Sequence, residues 1–310
     1  MLTGENQIIG FRSIYLQNGG TVVACFARRI YKDMRGKGFG RRLSELTTEY
    51  LKSNYPLVAH TILLIGNLDL ADDEYNDPKH GKRLTERACK IFQLTMKTVN
   101  GLAMQYAESS STSQSKPEDG VGNHFKLLTK DEYKQVLRNK DFISAALVND
   151  TILLNLVPVI VKTEGDFEFA AMNSQYVLLE GSVQNPIALS IFTCQLPSTD
   201  GRLRTKLDYF TIISDSGRSS VVEHVAKQLI HYKKNNDKTK KQNRTAVDGM
   251  ENEEDEVIDV EIFTRPNEDS NMEDSKIEDD FQSAGIDYKH VFVGKMKRCS
   301  SSCSAYLKEL

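Results

Sequence analysis

The chain has no tryptophan, seven prolines and five cysteines in 310 residues, and it has no long apolar run. Each shortage excludes something. Without a stretch near 18 apolar residues, no membrane-spanning helix is expected. The cysteines, at 25, 89, 194, 299 and 303, are scattered and odd in number. A disulfide framework is therefore not expected, and a reducing, cytoplasmic setting fits better. Cys299 and Cys303 stand four apart with no second pair of ligands nearby. They read as free thiols, and no metal site is expected. The first residues, Met1-Leu2-Thr3-Gly4-Glu5-Asn6, lack the basic and apolar regions of a signal peptide. Neither sign of charge dominates: 40 Lys and Arg face 43 Asp and Glu, for a net charge of -3. That balance, with few aromatics among the basic residues, weighs against a nucleic-acid partner.

Against this background one stretch stands out. Arg35-Gly36-Lys37-Gly38-Phe39-Gly40 follows a strand-like run and opens a helix-like one. Arg28, Arg29, Lys32, Arg35, Lys37, Arg41 and Arg42 surround it, against one acid, Asp33. Glycines let the backbone turn sharply, and a new helix points free N–H groups into the loop. The combination suits a multiply charged phosphate ligand. A Walker A loop is excluded, because Gly40 is followed by Arg41 and Arg42 instead of Lys-Ser/Thr. A dinucleotide loop is excluded too: the spacing is G-x-G-x-G, and Asn54 to Leu57 hold no acid for a ribose.

Around the loop the chain reads as alternating elements. Residues 8–17 alternate as a strand, Asn18-Gly19-Gly20 signals a hairpin, and 21–30 form the return strand. A helix is predicted over 39–54, with Phe39, Leu43, Leu46 and Tyr50 on one buried face, stopped at Tyr55-Pro56. His60 to Ile65 reads as a buried parallel strand. A helix near 82–91 and a strand from Phe92 to Met104 are predicted next. Residues 108–122, rich in Ser, Thr, Gln, Pro and Gly, read as a flexible linker.

Beyond the linker the pattern repeats. After a helix near 129–139 and the apolar run Thr151 to Val161, strands near 187–196 and 203–213 flank Asp200-Gly201. Asp215-Ser216-Gly217-Arg218 then takes the place of the glycine loop. A helical face follows at Val221, Val222, Val225, Ala226, Leu229 and Ile230, then strands at Val257 to Phe263 and Tyr288 to Met296 around a short helix near 276–284. Opposed basic and acidic blocks at about 233–256 read as a disordered charged insertion. The expected fold class is α+β with a mixed sheet, in two domains at 1–107 and 123–310.

Arg-x-x-Gly-x-Gly, read at Arg35, Gly38 and Gly40, resembles the acetyl-CoA diphosphate loop of the GCN5-related N-acetyltransferases (GNAT). Ile9-Gly10-Phe11, Asn18-Gly19-Gly20, Lys52-Ser53-Asn54-Tyr55-Pro56 and Phe125-Lys126-Leu127-Leu128-Thr129-Lys130 further resemble the histidine N-acetyltransferase and N-acetyltransferase 16 group. The resemblance implies a GNAT core followed by a second, degenerate GNAT-like unit that has lost its glycines. It implies acetyl-CoA as co-substrate and transfer to the amino group of a small, histidine-like amino acid. Arg28, Arg29, Ile30, Arg35, Gly36, Lys37, Gly38, Phe39, Gly40, Arg41 and Asn67 are the cofactor-binding residues it implies, with Ile30 against the pantetheine arm. Tyr75 is the candidate catalytic acid. Such domains carry a strand, two helices and another strand before the position of Ile9, where this sequence has eight residues. The expectation is an N-terminal truncation; a wall supplied by the second unit, or lost catalysis, are the alternatives.

Acetyl transfer to an amine is direct attack on a thioester. It needs a neutral amine, a base or water chain for its proton, and an oxyanion donor. No covalent intermediate is implied, so Cys25 is read as a strand filler, not a nucleophile. A non-catalytic acyl-CoA-binding or interaction module is the competing function.

Overall fold

The computed structural model describes residues 8–66, 82–95, 97–101, 125–154, 157–197, 203–211, 221–243, 257–264, 281–282, 289–290 and 301–309. The first hairpin forms as its sequence predicts. β1 (Gly10–Gln17) runs antiparallel to β2 (Val22–Ile30), with Gln17 opposite Val22 and Gly10 opposite Ile30. Asn18, Gly19 and Gly20 turn the chain with φ of 52°, 65° and 85°, values that glycine adopts freely and asparagine more readily than most residues. The register slips between Phe11 and Ser13, which bends the strands at a bulge.

A 3-10 turn at Lys32–Met34 leads to α1 (Phe39–Asn54). Leu43 and Leu51 are buried, and Leu51 packs with Val23 and Val58. Tyr50, expected on that face, is instead 52% exposed and meets Tyr55 edge-on. The helix turns the stripe Leu43-Thr47-Leu51 inward, and Thr47 donates its hydroxyl to the Leu43 carbonyl at 2.7 Å. A threonine satisfied within the helix hides that stripe from a count of apolar residues. β3 (His60–Gly66) then runs parallel to β2, pairing Val22 to Ala24 with His60 to Ile62.

β4 (Lys82–Thr95) corrects the predicted helix near 82–91, and residues 97–101 are helical where a strand from Phe92 to Met104 is predicted. Pairing outweighs the charged, helix-favouring composition here: Ala88 to Thr95 are all in register with another strand. Next come β5 (Phe125–Leu127), α2 (Lys130–Arg138) and α3 (Lys140–Ala146). Thr129 and Glu132 cap α2 reciprocally. The apolar run folds as a second hairpin, β6 (Thr151–Leu154) with β7 (Val157–Ile160). α4 (Glu164–Asn173), β8 (Ser174–Gly181), β9 (Pro186–Pro197) and β10 (Leu203–Thr211) follow. α5 (Val221–Asn243) continues through Lys233 to Asn243, part of the stretch expected to be disordered. Once its buried first half has nucleated, the lysines at 233, 234, 238, 240 and 241 extend the helix at little cost. The rest of that insertion, the linker at 108–122, Asp200-Gly201 and Asp215 to Arg218 lie outside the described residues. β11 (Val257–Thr264), β12 (Lys289–His290) and β13 (Ser301–Glu309) complete the elements.

The chain forms two compact units. In the first, the strand order is β1-β2-β3-β13. β13, which the sequence does not announce, pairs antiparallel with β3 from Cys303–Gly66 to Glu309–His60. Residues 147–171 belong to the same unit. The Gln17 amide donates to the Pro158 carbonyl at 3.0 Å and accepts from Ile160 N–H. Asp166 accepts from the backbone N–H groups of Asn18, at 3.0 Å, and Thr163, at 2.9 Å. Tyr15 stacks on Phe169 with ring centroids 3.6 Å apart. Burial, with Asp166 nearby, pushes the Tyr15 phenol up from its ordinary value.

In the second unit the order is β4-β11-β10-β9-β8-β5. β9 and β10 are antiparallel, α5 follows, and β11 is parallel to β10. That repeats the course β1, β2, α1, β3 of the first unit. Its core gathers Leu94, Phe192, Leu207, Val225, Leu229, Val260, Ile262 and Phe281. The fold is thus mixed α+β with a repeated hairpin, helix and parallel strand. Among the described residues no helix is long and apolar enough to cross a membrane.

Candidate functional site

The glycine loop forms the rim of an open groove of about 820 Å³ at the end of β2. Its backbone is set residue by residue. Tyr31 N–H donates to the Ile9 carbonyl at 2.9 Å, which fixes where the strand ends. Met34 and Arg35 N–H groups close the 3-10 turn onto Tyr31 and Lys32. Gly36 and Gly38 then take φ of 74° and 80°. Gly38 is the N-cap of α1, and no side chain caps the helix. The first intrahelical bond is Arg42 N–H to the Gly38 carbonyl at 3.1 Å. The preceding N–H groups therefore have no acceptor within the helix, and no acid occupies its first turn.

Arg28, Arg29, Ile30, Met34, Arg35, Gly36, Gly40, Arg41 and Ser44 line the groove. Gly40 leaves room there: a Cβ would meet nothing in the protein nearer than Ile30 Cγ1 at 3.9 Å. The arginines differ in their partners. Arg35 Nε donates to the Ile30 carbonyl at 3.2 Å, tying the loop's two ends together. Arg29 Nη1 donates to the Arg28 carbonyl, and Arg28 Nη1 to Ser44 Oγ, each at 3.2 Å. Ser44 Oγ donates to the Gly40 carbonyl at 3.1 Å, so Arg28 is steered along the groove by the helix itself. Arg41 and Arg42 instead pair with Glu45, and Arg42 also with Glu49. Among the described residues, Arg28, Arg29 and Arg35 have no carboxylate within ion-pair distance.

The strands beside the groove diverge. β2 continues to Ile30 and β3 to Gly66, but their parallel pairing runs only from Val22–His60 to Ala24–Ile62. Cys25, half-buried, accepts from the Thr61 hydroxyl at 3.8 Å.

Of the residues implied by the resemblance, Arg28, Arg29, Ile30, Arg35, Gly36, Gly40 and Arg41 meet at one groove. Gly38 shapes the turn, while Lys37 is exposed and Phe39 half-buried at the start of α1. Asn67 and Tyr75 lie outside the described residues. Ser44 and Met34 join the lining without having been singled out; Ser44 falls one helical turn after Gly40, a spacing that identifies it once the groove face is known. Among the described residues, no three of His, Cys, Asp and Glu lie close enough to hold a metal.

No protein-family model and no curated protein matches the chain. Among solved structures it is similar to a GCN5-related N-acetyltransferase from Sphaerobacter thermophilus, at 8% identity and a TM-score of 0.42, over 99% of this chain and 79% of that one. It is similar to the N-myristoyltransferase of Saccharomyces cerevisiae with bound myristoyl-CoA, at 11% identity and a TM-score of 0.49, over 99% of this chain and 65% of that one. A tandem GNAT protein from the clavulanic acid biosynthesis pathway matches at 10% identity and a TM-score of 0.43, over 99% of this chain and 80% of that one. The chain spans just under two thirds of the yeast N-myristoyltransferase.

Proposed function

We propose that the groove binds the diphosphate of acetyl-CoA and that the protein is a GNAT-type N-acetyltransferase acting on the amino group of a small, histidine-like amino acid. One observation carries the reading. Arg28, Arg29 and Arg35, which have no carboxylate within ion-pair distance among the described residues, surround the N-terminus of α1, which no side chain caps. Such a concentration of positive charge on an open surface calls for a ligand with at least two negative charges. The resemblance of Arg35, Gly38 and Gly40 to the GNAT loop names that ligand as CoA.

In this reading each guanidinium keeps most of its N–H groups for phosphate oxygens, since one bond of Arg35 and one of Arg28 are spent on orientation. The free N–H groups at the start of α1 add to the same charge. β2 has parted from β3 by Arg28 to Ile30, so backbone groups there supply the oxyanion donor beside the thioester. The amine attacks the thioester carbonyl directly, loses its proton to a base or water chain, and CoA leaves as a thiol. Tyr75 is the proposed proton donor to the leaving thiolate, and Asn67 is proposed as a cofactor-binding residue. A cytoplasmic location, and a linker at 108–122 between a cofactor-binding core and a C-terminal domain, belong to the same proposal.

Thermal-shift titration with acetyl-CoA, CoA and a short RNA tests the ligand class. Stabilisation by both CoA species, and not by RNA, is expected; no response to either CoA species refutes the reading. Thiol release from acetyl-CoA with a panel of free amino acids then tests turnover. Release above background with histidine is expected, and none with any acceptor leaves a CoA-binding module instead.

A further inference from the structure

The second unit encloses a cluster that the proposed chemistry does not use. His224 on α5, Glu180 at the end of β8 and Ser190 in the middle of β9 are all at most 1% exposed. His224 Nδ1 lies 2.8 Å from Ser190 Oγ, and His224 Nε2 lies 3.7 Å from Glu180 Oε2. Gln228, one turn along α5, donates its amide to Ser190 Oγ and to the Ser190 carbonyl, each at 3.1 Å. The rest of the ring's surroundings are aromatic. Phe125 of β5 and Tyr209 of β10 meet the imidazole edge-on at 5.0 and 5.1 Å. The remaining charges near it are Glu223 and Lys227 of its own helix, and Lys227 sits over the Phe125 ring.

A serine, a histidine and a carboxylate in sequence suggest a hydrolytic relay, but the groups are sealed from solvent. Their consequence is different. The cluster joins a helix to two strands through polar bonds that suit a neutral imidazole. Because Ser190 Oγ already accepts from Gln228, its hydroxyl is free to donate to Nδ1, which places the proton of a neutral ring on Nε2. An imidazolium carries an N–H on both nitrogens. The added N–H, on Nδ1, would meet the very hydroxyl of Ser190 that donates to it, so that hydroxyl would have to turn to another acceptor inside a site closed to water.

We propose that the His224–Ser190–Glu180 cluster is an acid-sensitive lock of the second unit, holding α5 against β8 and β9 while His224 is neutral and releasing it as the imidazole gains a proton. Burial lowers the affinity of His224 for that proton, opposed by the neighbouring Glu180 and Glu223. The sign follows. The unfolded chain takes up the proton near the ordinary value of 6.5, the folded chain only at lower pH. Between the two the unfolded state binds more protons, so stability is fully present above about pH 6.5 and is lost as the pH falls below it.

The test uses the full chain. Its thermal midpoint by circular dichroism is expected to fall by roughly 4 °C or more between pH 7.5 and 5.5, and His224→Gln is expected to lose most of that dependence. An equal fall in the variant overturns the proposal. If His224→Gln does not fold, nitrogen-15 NMR of the wild-type imidazoles decides, with His224 identified through its contacts to the Phe125 and Tyr209 rings. A neutral His224 at pH 6, where exposed histidines are largely charged, supports the lock; an imidazolium signal there refutes it.

Discussion

Gly38 carries its φ of 80° in open space, since a Cβ built on it meets nothing within 4 Å. Any penalty for replacing it is conformational. Gly38→Ala is therefore expected to cost about 1–2 kcal/mol in urea unfolding, with no steric repacking around it. Gly10 is the opposite case. Its Cβ would stand 2.6 Å from Ile30 Cδ1 and 3.0 Å from the Arg29 carbonyl, so the close approach of β1 to β2 leaves little room for a side chain there. At the groove, charge decides. Arg28→Ala and Arg35→Ala are each expected to weaken CoA binding about tenfold or more by isothermal titration, as the loss of a charge-assisted bond of about 1.5–3 kcal/mol implies. Glu45→Ala is expected to leave affinity unchanged or improved, because it frees Arg41 from an exposed pair and leaves Arg42 with Glu49 alone. Unchanged affinity in both arginine variants contradicts the assignment of the groove.

Single elements were legible where local chemistry and tertiary packing agree. The hairpin at Asn18 to Gly20, the helix from Phe39 to Asn54 and the strand from His60 come from turn residues, amphipathic spacing and an apolar run, and each forms within a residue or two of its expected bounds. β4 and β13 show the limit. Both hold lysines or glutamates that favour helix or coil, and both are strands because neighbouring strands pair with them. Their partners β11 and β3 are legible as strands, but a single sequence does not say with which segments they pair. The same holds for Asp166, buried among hydrogen bonds that reach from α4 back to the tip of the first hairpin. Locally, Asp166 closes the start of α4: its Oδ2 accepts from the Thr163 N–H and hydroxyl. Its Oδ1 bond to Asn18 is the part that cannot be read locally. Asp166→Ala is expected to destabilise by about 2 kcal/mol or more, beyond an ordinary cap loss of about 1, and to raise amide exchange at Asn18. Exchange confined to residues 162–167 shows that only the cap matters.

For the whole molecule, the repeat of hairpin, helix and parallel strand explains why one half carries a legible site and the other a legible fold alone. The first copy keeps its glycines and exposed arginines at the strand–helix turn. The second has a buried histidine on the first turn of the corresponding helix and a wide apolar core. The sheet of the first copy, however, is completed by the most distant segment of the chain. Every residue of β3 from His60 to Gly66 pairs with β13, whereas β3 and β2 share only three registered pairs. A chain ending at Ser300 leaves β3 with an unpaired edge along its whole length, and an unsatisfied edge of that kind is both unstable and prone to wrong pairing. Such a chain is expected to lose protease resistance within residues 8–66 and to lose its thermal response to CoA, while α5 and the core of the second unit keep their exchange protection. A peptide of residues 301–310 added in trans is expected to restore part of the CoA response, because the missing contribution is strand pairing and not a ligand contact. Undiminished CoA stabilisation in the shortened chain shows that β2 and α1 hold the groove without β13.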